Sequence, residues 1–321
     1  MALTIQQIYE LFIKIGRDHD PRSKKEIDAF LKEKKDEYGK LDKKKKKFFD
    51  KDRLKNPYAD SRILHGKPGG KIKTLMAGID GDINELLLAS ELNRQGKQID
   101  LVFAHHPEGR ALTDLTKVMP VQEAVMEVLG VPVNVVEKLL EVRMKKIDRS
   151  LHADNYYRVA DAARLLDIPF MNCHTPADNC VHDYLDKFVK KKRTKVKYMK
   201  DLVEALLDIP EFEEAEKMGV GPAIYSGSPK SKLGKVAVTG MTGGTSGNED
   251  IYKALSQAGV STVLAMHMSE AHREKAEKEH INIIVTGHIA SDSLGMNFIL
   301  DQIEKKGVKV IPAGGLIRIK R

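Results

Sequence analysis

The spacing of apolar residues changes along the chain, and it predicts where helices and strands lie. In residues 4–16, Ile5, Ile8 and Phe12 recur at helical spacing and predict an amphipathic helix. From residue 72 onward, short apolar runs alternate with segments of helical periodicity. Alternation of this kind is typical of an α/β fold in which most strands run parallel.

The same pattern predicts the individual elements. Strands are predicted at residues 72–79, 99–104, 168–173, 236–238, 261–265, 281–285, 308–311 and 316–319. Further helices are predicted at residues 82–96, 120–129, 134–147, 155–166, 181–192, from 248, at 269–279 and at 292–305. The Gly- and Pro-containing stretch 211–234 is predicted to be irregular.

The length of 321 residues favours more than one domain. We expect two α/β lobes, residues 66–195 and 196–321. Residues 1–65 are expected to form a helical, basic extension, which ends in a linker around Pro57 and residues 65–70.

Charge is concentrated in that extension. The chain has a net charge of +8, and residues 21–60 hold fifteen Lys or Arg against nine Asp or Glu, with an unbroken run from Lys43 to Lys47. A basic patch of this kind attracts nucleic acid or another polyanion. The other interpretation is a solvated helix of mixed charge, which we favour because acidic residues are interleaved.

The cysteines and the longest apolar runs bear on location. Two cysteines, Cys173 and Cys180, fit a reducing compartment better than a disulfide framework. No signal-peptide pattern and no apolar run of about 20 residues is present. We therefore expect a cytoplasmic protein without a membrane partner.

Three polar clusters each follow a predicted strand. His105-His106 follows residues 99–104, and the pairs His174/Asp178 and His288/Asp292 follow the strands that end at residues 173 and 285. Ligands in open α/β sheets gather at the carboxyl ends of strands. Spacing i,i+4 places the imidazole and the carboxylate of each pair on one face if the segment is helical, although Pro176 makes the first pair more loop-like.

Imidazoles and carboxylates in these clusters suffice for two metal ions about 3.5–4 Å apart. The mixed nitrogen and oxygen donors suit Zn, Fe, Mn, Co or Ni better than Mg or Ca. Two further histidines, His267 and His272, follow the strand at 261–265 and are candidates to line the same cleft. The Gly-rich loop 240–247 has neither a Walker nor a Rossmann spacing, so a backbone anion site and a mobile turn both stay open.

The motifs and their order resemble the Ngg-interacting factor three family, whose members are often labelled GTP cyclohydrolase type 2 homologues. The resemblance runs from about residue 70 to the C-terminus and rests on residues 78–80, 105–107, 174–178, 240–247 and 287–292. It implies an α/β fold of two lobes with a dinuclear metal site in the cleft between them, and assembly as a hexameric ring. The family ligands correspond to His105, His106, Asp178, His288 and Asp292.

Two positions depart from the family pattern. Asp292 stands where the family usually has Glu. Met266-His267-Met268 stands where the family often has a Thr-Gly-acid sequence, so this chain lacks the acidic residue that could assist catalysis there. His272 corresponds to a recurrent family histidine.

These observations lead to two hypotheses. The first is a metal-dependent hydrolase with two divalent transition-metal ions that acts on a small, anionic or nucleotide-like substrate. In it, His174, His267 or His272 moves protons. The second is a non-enzymatic, metal-binding regulatory scaffold that binds nucleic acid or a protein partner.

Overall fold

A computed structural model describes residues 2–321, and they form an α/β fold with three sheets. The strands are β1 Leu3–Thr4, β2 Arg62–His65, β3 Lys71–Ile72, β4 Thr74–Gly78, β5 Leu101–Ala104, β6 Phe170–Asn172, β7 Ala223–Ser226, β8 Lys235–Val238, β9 Val260–Ala265, β10 Asn282–Val285 and β11 Lys309–Pro312. The helices are α1 Ile5–Asp18, α2 Lys24–Lys40, α3 Ile83–Arg94, α4 Gly109–Thr113, α5 Val121–Val128, α6 Val133–Leu151, α7 Arg158–Leu166, α8 Thr175–Lys192, α9 Met199–Leu206, α10 Pro210–Lys217, α11 Ile251–Gln257, α12 Glu270–Lys278 and α13 His288–Glu304.

The first large sheet has five strands in the order β11-β4-β5-β6-β2. Its neighbours are parallel except for β2, which runs antiparallel to β6 at one edge. Side chains alternate between two faces, as a strand requires. Phe103 packs in the cluster that contains α1 and α13, whereas Val102 and Ala104 pack in the cluster that contains α3 and α7.

The second large sheet has four strands in the order β7-β10-β9-β8, with only β7 antiparallel to its neighbour. One face packs on α5, α6, α11 and α12, through residues such as Val263 and Ile283. The other face packs on α8 and α13 through Leu264 and Ile284.

Helices α8 and α13 pack against each other and contribute to the cores of both large sheets. Gly295 of α13 faces the backbone carbonyl of Ala177 in α8, where a Cβ atom would clash. Glycine therefore permits the close approach of the two helices. This contact lies beside Asp178 and Asp292, one on each helix.

The N-terminal residues, predicted to form a helical extension, contribute to the core of the first sheet. Ile5, Ile8 and Phe12 of α1 are buried in the core of the first sheet, and Tyr58 is buried with them. Strand β2, which lies in the predicted linker region, completes that sheet. In contrast, α2 buries only Ile27 and Leu31, and the turn of Lys43–Lys47 is mostly exposed.

Sheet membership does not follow the predicted division at residues 195 and 196, because β11 pairs with β4 of the first sheet. The domain boundaries stay a prediction. Two predictions of local structure are wrong: residues 316–319 form no strand, and the stretch 211–234, predicted to be irregular, contains most of α10 and all of β7. Among the described residues, no helix is both long enough and apolar enough to cross a membrane.

Candidate metal centre

The His105-His106 pair is fixed by the loop that follows β4. The His105 backbone N–H donates to the carbonyl oxygens of Gly78 (2.9 Å) and Ile79 (3.1 Å), and the His106 N–H donates to Ile79 (2.9 Å). Cys173, at the end of the neighbouring strand β6, donates to the Ala104 carbonyl oxygen (2.9 Å). Adjacent parallel strands thus bring His105, His106 and His174 to one sheet edge.

The carboxylates come from the helix pair. Asp178 lies in the first turn of α8, and Asp292 lies one turn after His288 at the start of α13. Gly287, with a φ of 96°, turns the chain into α13 in a conformation that favours glycine. Both His-x-x-x-Asp pairs are therefore helical, and the expectation that Pro176 would make the first one loop-like is wrong. Proline fits the first turn of a helix, where its missing N–H has no partner to lose.

Asp292 is shared between two sets of histidines. Its Oδ1 lies 3.6 Å from His105 Nε2, and its Oδ2 lies 3.3 Å from His106 Nε2 and 3.2 Å from His288 Nε2. On the far side of His105, Nε2 lies 3.4 Å from Asp178 Oδ1. The five residues implied by the family resemblance therefore form one contiguous cluster.

The donor set fits metal ions. His105 Nε2, Asp178 Oδ1 and both carboxylate oxygens of Asp292 are buried without a hydrogen-bond partner. Buried polar atoms are normally paired, so unpaired ones indicate a missing ligand. Donors that share one tetrahedral ion at 2.0–2.1 Å lie roughly 3.3 Å apart, close to the distances observed here. Two groups, His105/His174/Asp178 and His105/His106/Asp292, bring their ligand atoms within 4.8 Å of one another.

Hydrogen bonds on the outer ring nitrogens orient these imidazoles. His105 Nδ1 donates to the Cys173 carbonyl oxygen (2.9 Å), and His106 Nδ1 donates to Asp80 Oδ1 (2.7 Å). Carbonyl and carboxylate oxygens only accept, so Nδ1 carries the proton in both rings. When these rings are neutral, each Nε2 presents its lone pair to the cluster, as metal-ligating histidines do.

The two carboxylates have opposite electrostatic environments. Burial raises the pKa of Asp178 well above its usual range, and the negative charges of Asp292 and Asp60 add to this effect. Burial also opposes ionisation of Asp292, but His105 and His106 outweigh it and hold its pKa below the usual range. Close carboxylates cannot both ionise at low cost unless a cation lies between them.

The pKa values of the histidines are also shifted in opposite directions. Burial lowers the pKa of His105 and of His288. Burial opposes the charged form of His106 too, but Asp292 and Asp80 outweigh it and raise its pKa to about 9. His106 is therefore protonated at neutral pH when no ion is bound, whereas His105 and His288 are neutral.

The three histidines predicted to move protons lie at different places. The His174 ring is 4.9 Å from the His105 ring, within the cluster, and the His267 ring is 4.6 Å from that of His288. Burial lowers the pKa of His267 to about 4. His272 lies apart, with Nδ1 3.1 Å from the Tyr252 hydroxyl, and lines an adjoining, mostly apolar cavity.

The cluster opens into a groove of about 330 Å³, and the Gly-rich loop forms part of its wall. Gln122 Nε2 donates to the carbonyl oxygens of Gly243 (2.9 Å) and Thr245 (2.7 Å). Thr242 Oγ1 donates to Asn179 Oδ1, next to Asp178 (2.6 Å). The loop is therefore anchored on both sides of the groove.

Sequence reasoning missed two carboxylates that contact the histidines. Asp80 was visible only as the end of the Gly78-Ile79-Asp80 segment, and nothing in its surroundings indicated His106 as a partner. Asp60 lies in the predicted extension, where no periodic pattern or motif indicated a role. Its Oδ2 accepts from His174 Nδ1 at 2.9 Å.

Comparison with solved structures supports the family resemblance. The crystal structure of a NIF3 superfamily protein from Sphaerobacter thermophilus is 30% identical, with a TM-score of 0.72, and the match covers 82% of this chain and 94% of that one. This chain belongs to the NIF3 superfamily. The Ngg-interacting factor three assignment made from the motifs is thereby confirmed.

Other similar structures are more distant. Reduced HcgD from Methanocaldococcus jannaschii is 13% identical with a TM-score of 0.48, covering 78% of this NIF3 superfamily chain and 87% of that one. A Bacillus cereus protein related to NIF3 is 11% identical with a TM-score of 0.41, covering 79% and 91%. A scan against protein-family models gave no match, and neither did a search of curated proteins.

Proposed function

We propose that this NIF3 superfamily protein is a metal-dependent hydrolase that holds two divalent transition-metal ions. The observation that carries the proposal is the pair of unpaired, buried oxygens of Asp292, one facing His105 and the other facing His106 and His288. A carboxylate placed in this way can serve two cations at once. His105 and Asp178 would hold one ion, and His106 and His288 the other.

Two bound ions would supply Lewis acidity and lower the pKa of a coordinated water, which is the usual basis of hydrolysis at such centres. The identity of the ions among Zn, Fe, Mn, Co and Ni stays open, because the donors suit all of them.

The residues around the cluster support hydrolysis of a small substrate. The groove of about 330 Å³ limits the substrate to the size of a small molecule such as a nucleotide. His267 borders the groove and is neutral at pH 7 because burial lowers its pKa to about 4. This low pKa makes His267 a weak base, so its position at the groove, and not its pKa, is why we propose it as the residue that moves protons, with His174 as a further candidate. His272 does not line the groove and fits a supporting role.

The nature of the substrate is a finer proposal. We propose an anionic or nucleotide-like molecule, because bound cations would attract it and the Gly240–Gly247 loop lies beside the cluster. A hexameric ring and a cytoplasmic location stay proposals that rest on the family resemblance and on the two cysteines, which are both free thiols.

Metal quantification followed by a hydrolase screen tests the proposal. The protein should carry close to two transition-metal ions per chain after reconstitution with Zn, Mn or Fe, and Asp178→Ala should lose the ion held on the His105 side. A panel of nucleotides and small phosphate or amide substrates should then show turnover by the wild type but not by Asp178→Ala. If the wild type holds no metal after reconstitution, the proposed function is wrong.

A second candidate function is a metal-binding scaffold without catalysis. It is favoured by Met266-His267-Met268, which replaces the acidic residue of the family, and by the exposed turn around Lys43–Lys47, where Phe48 is 79% exposed. The same experiment separates the two functions. Full metal loading without turnover of any substrate class, together with salt-sensitive binding of nucleic acid, would favour the scaffold.

A further inference from the structure

His174 lies close enough to the cluster to take part in it. It lies two residues after the end of β6, at the N-cap position of α8, and its Nε2 is 3.8 Å from Asp178 Oδ2. With His105 and Asp178 it forms one of the two buried groups whose ligand atoms lie within 4.8 Å of one another. Its side chain is only 10% exposed.

Asp60 holds the His174 ring from the opposite side. Asp60 is completely buried, and its Oδ2 accepts from His174 Nδ1 (2.9 Å) and from Thr175 Oγ1 (2.6 Å). Its Oδ1 accepts from Ser61 Oγ (3.1 Å). Both oxygens of this buried carboxylate therefore have hydrogen-bond donors.

The backbone near Asp60 is also joined to the segment that carries His174. Asn172 Nδ2 donates to the Asp60 carbonyl oxygen (2.6 Å), and the His174 N–H donates to Ser61 Oγ (2.9 Å). Residues 60–61 and 172–175 therefore meet through four hydrogen bonds, two of them from side chains to Asp60 Oδ2. The position of the ring depends on a segment that the family motifs do not include.

This geometry determines which ring nitrogen is available. A carboxylate only accepts, so His174 Nδ1 carries the proton. Nε2 is then free to bind an ion, and it faces Asp178 and His105. The same carboxylate–histidine arrangement orients and strengthens imidazole ligands at metal sites. His106 shows it too, through Asp80.

We infer that His174, positioned by Asp60, is a sixth metal ligand, on the His105 and Asp178 side of the centre. This inference rests on the proposed dinuclear centre and adds a residue to it. One ion would then have donors from His105, His174, Asp178 and Asp292, whereas the other would have His106, His288 and Asp292. The first ion would be surrounded by protein donors, whereas the residues that would hold the second ion lie at the groove.

The test compares Asp60→Asn and His174→Gln with the wild type, with Asp50→Asn as control. Asp50 is also a buried carboxylate of the N-terminal segment, but it pairs with Arg62 and touches no histidine of the cluster. Each full-length protein is reconstituted with Co²⁺, and the metal content, the affinity for each ion and the visible absorption spectrum are measured. Circular dichroism and thermal unfolding report whether each variant folds.

We expect Asp60→Asn to lower the affinity for the ion on the His105 and Asp178 side by about 10–100-fold, as loss of a carboxylate behind a histidine ligand does. His174→Gln should weaken it at least as much, and both should change the Co²⁺ spectrum while the second ion still binds. Asp50→Asn should leave the spectrum unchanged. In His174→Gly, added imidazole should restore the spectrum.

Unchanged spectra and affinities in folded Asp60→Asn and His174→Gln would overturn the inference while leaving the dinuclear centre in place. If Asp60→Asn does not fold, His174→Gln and imidazole rescue of His174→Gly decide the question, because neither alters residues 60–61. Failure of imidazole to restore the spectrum, together with wild-type spectra in His174→Gln, would assign Asp60 and His174 a structural role only. A wild type without metal would instead defeat the proposed function.

Discussion

The two sides of the candidate centre differ in their access to solvent. The side chains of His105 and Asp178 are 1% and 6% exposed, whereas those of His106 and His288 are 27% and 41% exposed. Asp292, shared by both sides, is 0% exposed. We call the first side the closed side and the second the open side.

The difference follows from where each side originates. The closed side is built from the end of β5, the start of α8 and the N-terminal segment around Asp60, all packed in the core. The open side is built from His106, which lies one residue beyond His105, and from the first residue of α13, at the groove. A closed site favours retention of an ion, and an open one favours exchange and substrate access.

Removing the shared carboxylate should have the largest effect. Asp292→Ala should lose both ions, because each side would be left with fewer donors and no bridging charge. The metal content should fall from about two ions per chain to nearly none, since even loss of an outer partner costs about 10–100-fold. Elemental analysis after dialysis measures this, with Asp301→Asn on the same helix as control. Retention of one ion at wild-type affinity would show that Asp292 serves one side only.

Removing a ligand from the open side should separate the two ions. His288→Ala should retain the closed-side ion and lose the other, which leaves about one ion per chain because the closed side keeps all its donors. His105→Ala, the matched change on the closed side, should cost more. Chelator competition followed over time measures both variants. If His288→Ala loses both ions at the same rate, the distinction between the sides is wrong.

The pH dependence of binding should identify the open side. Because Asp292 and Asp80 outweigh burial and raise the pKa of His106 to about 9, an ion must displace a proton from His106 at neutral pH. Open-side affinity should rise with pH up to about 9, by at most about tenfold per unit, and binding should release a proton. Calorimetry in buffers of different ionisation enthalpy measures the release.

Asp80→Asn provides the control for this dependence. It removes one of the two carboxylates that raise the pKa of His106, so the rise in affinity should level off at a lower pH. Open-side affinity that does not change with pH in the wild type would contradict the assigned protonation of His106.

The smallest effect is expected from the basic turn, which is remote from both sides. Lys43, Lys44, Lys46 and Lys47 have no carboxylate partner among the described residues, while Lys45 pairs with Asp42 at 3.6 Å. Changing these four lysines to Ser should leave metal content unchanged on both sides and change the free energy of unfolding by less than about 0.5 kcal/mol. The experiment also tests the nucleic-acid hypothesis, because salt-sensitive binding in the wild type should disappear in the variant.

Deleting residues 1–60 would not test this hypothesis cleanly, since the deletion removes Phe12 from the core and Asp60 from its contact with His174.

Much of the local structure could be predicted from the sequence. The strand before His105 and the helix that begins after Thr4 have clear periodicity, and the Thr4 and Gln7 side chains form the reciprocal cap of that helix. One of the wrong predictions has a visible physical reason. Residues 316–319 look like a strand, but the Ile317 N–H donates to Ser293 Oγ and its carbonyl oxygen accepts from Asn297, so side chains of α13 replace a strand partner.

Local sequence patterns predict most of the alternating strands and helices, the histidines at strand ends and the i,i+4 spacing of His288 and Asp292, because these depend on backbone periodicity over a few residues. The tertiary structure alone shows that Asp292 faces both histidine sets, that Asp60 contacts His174, and that one side is closed and the other open. Those features depend on how closely α13 approaches α8 at Gly295 and on where the N-terminal segment packs. Contacts across more than a hundred residues are set by packing, which local spacing does not encode.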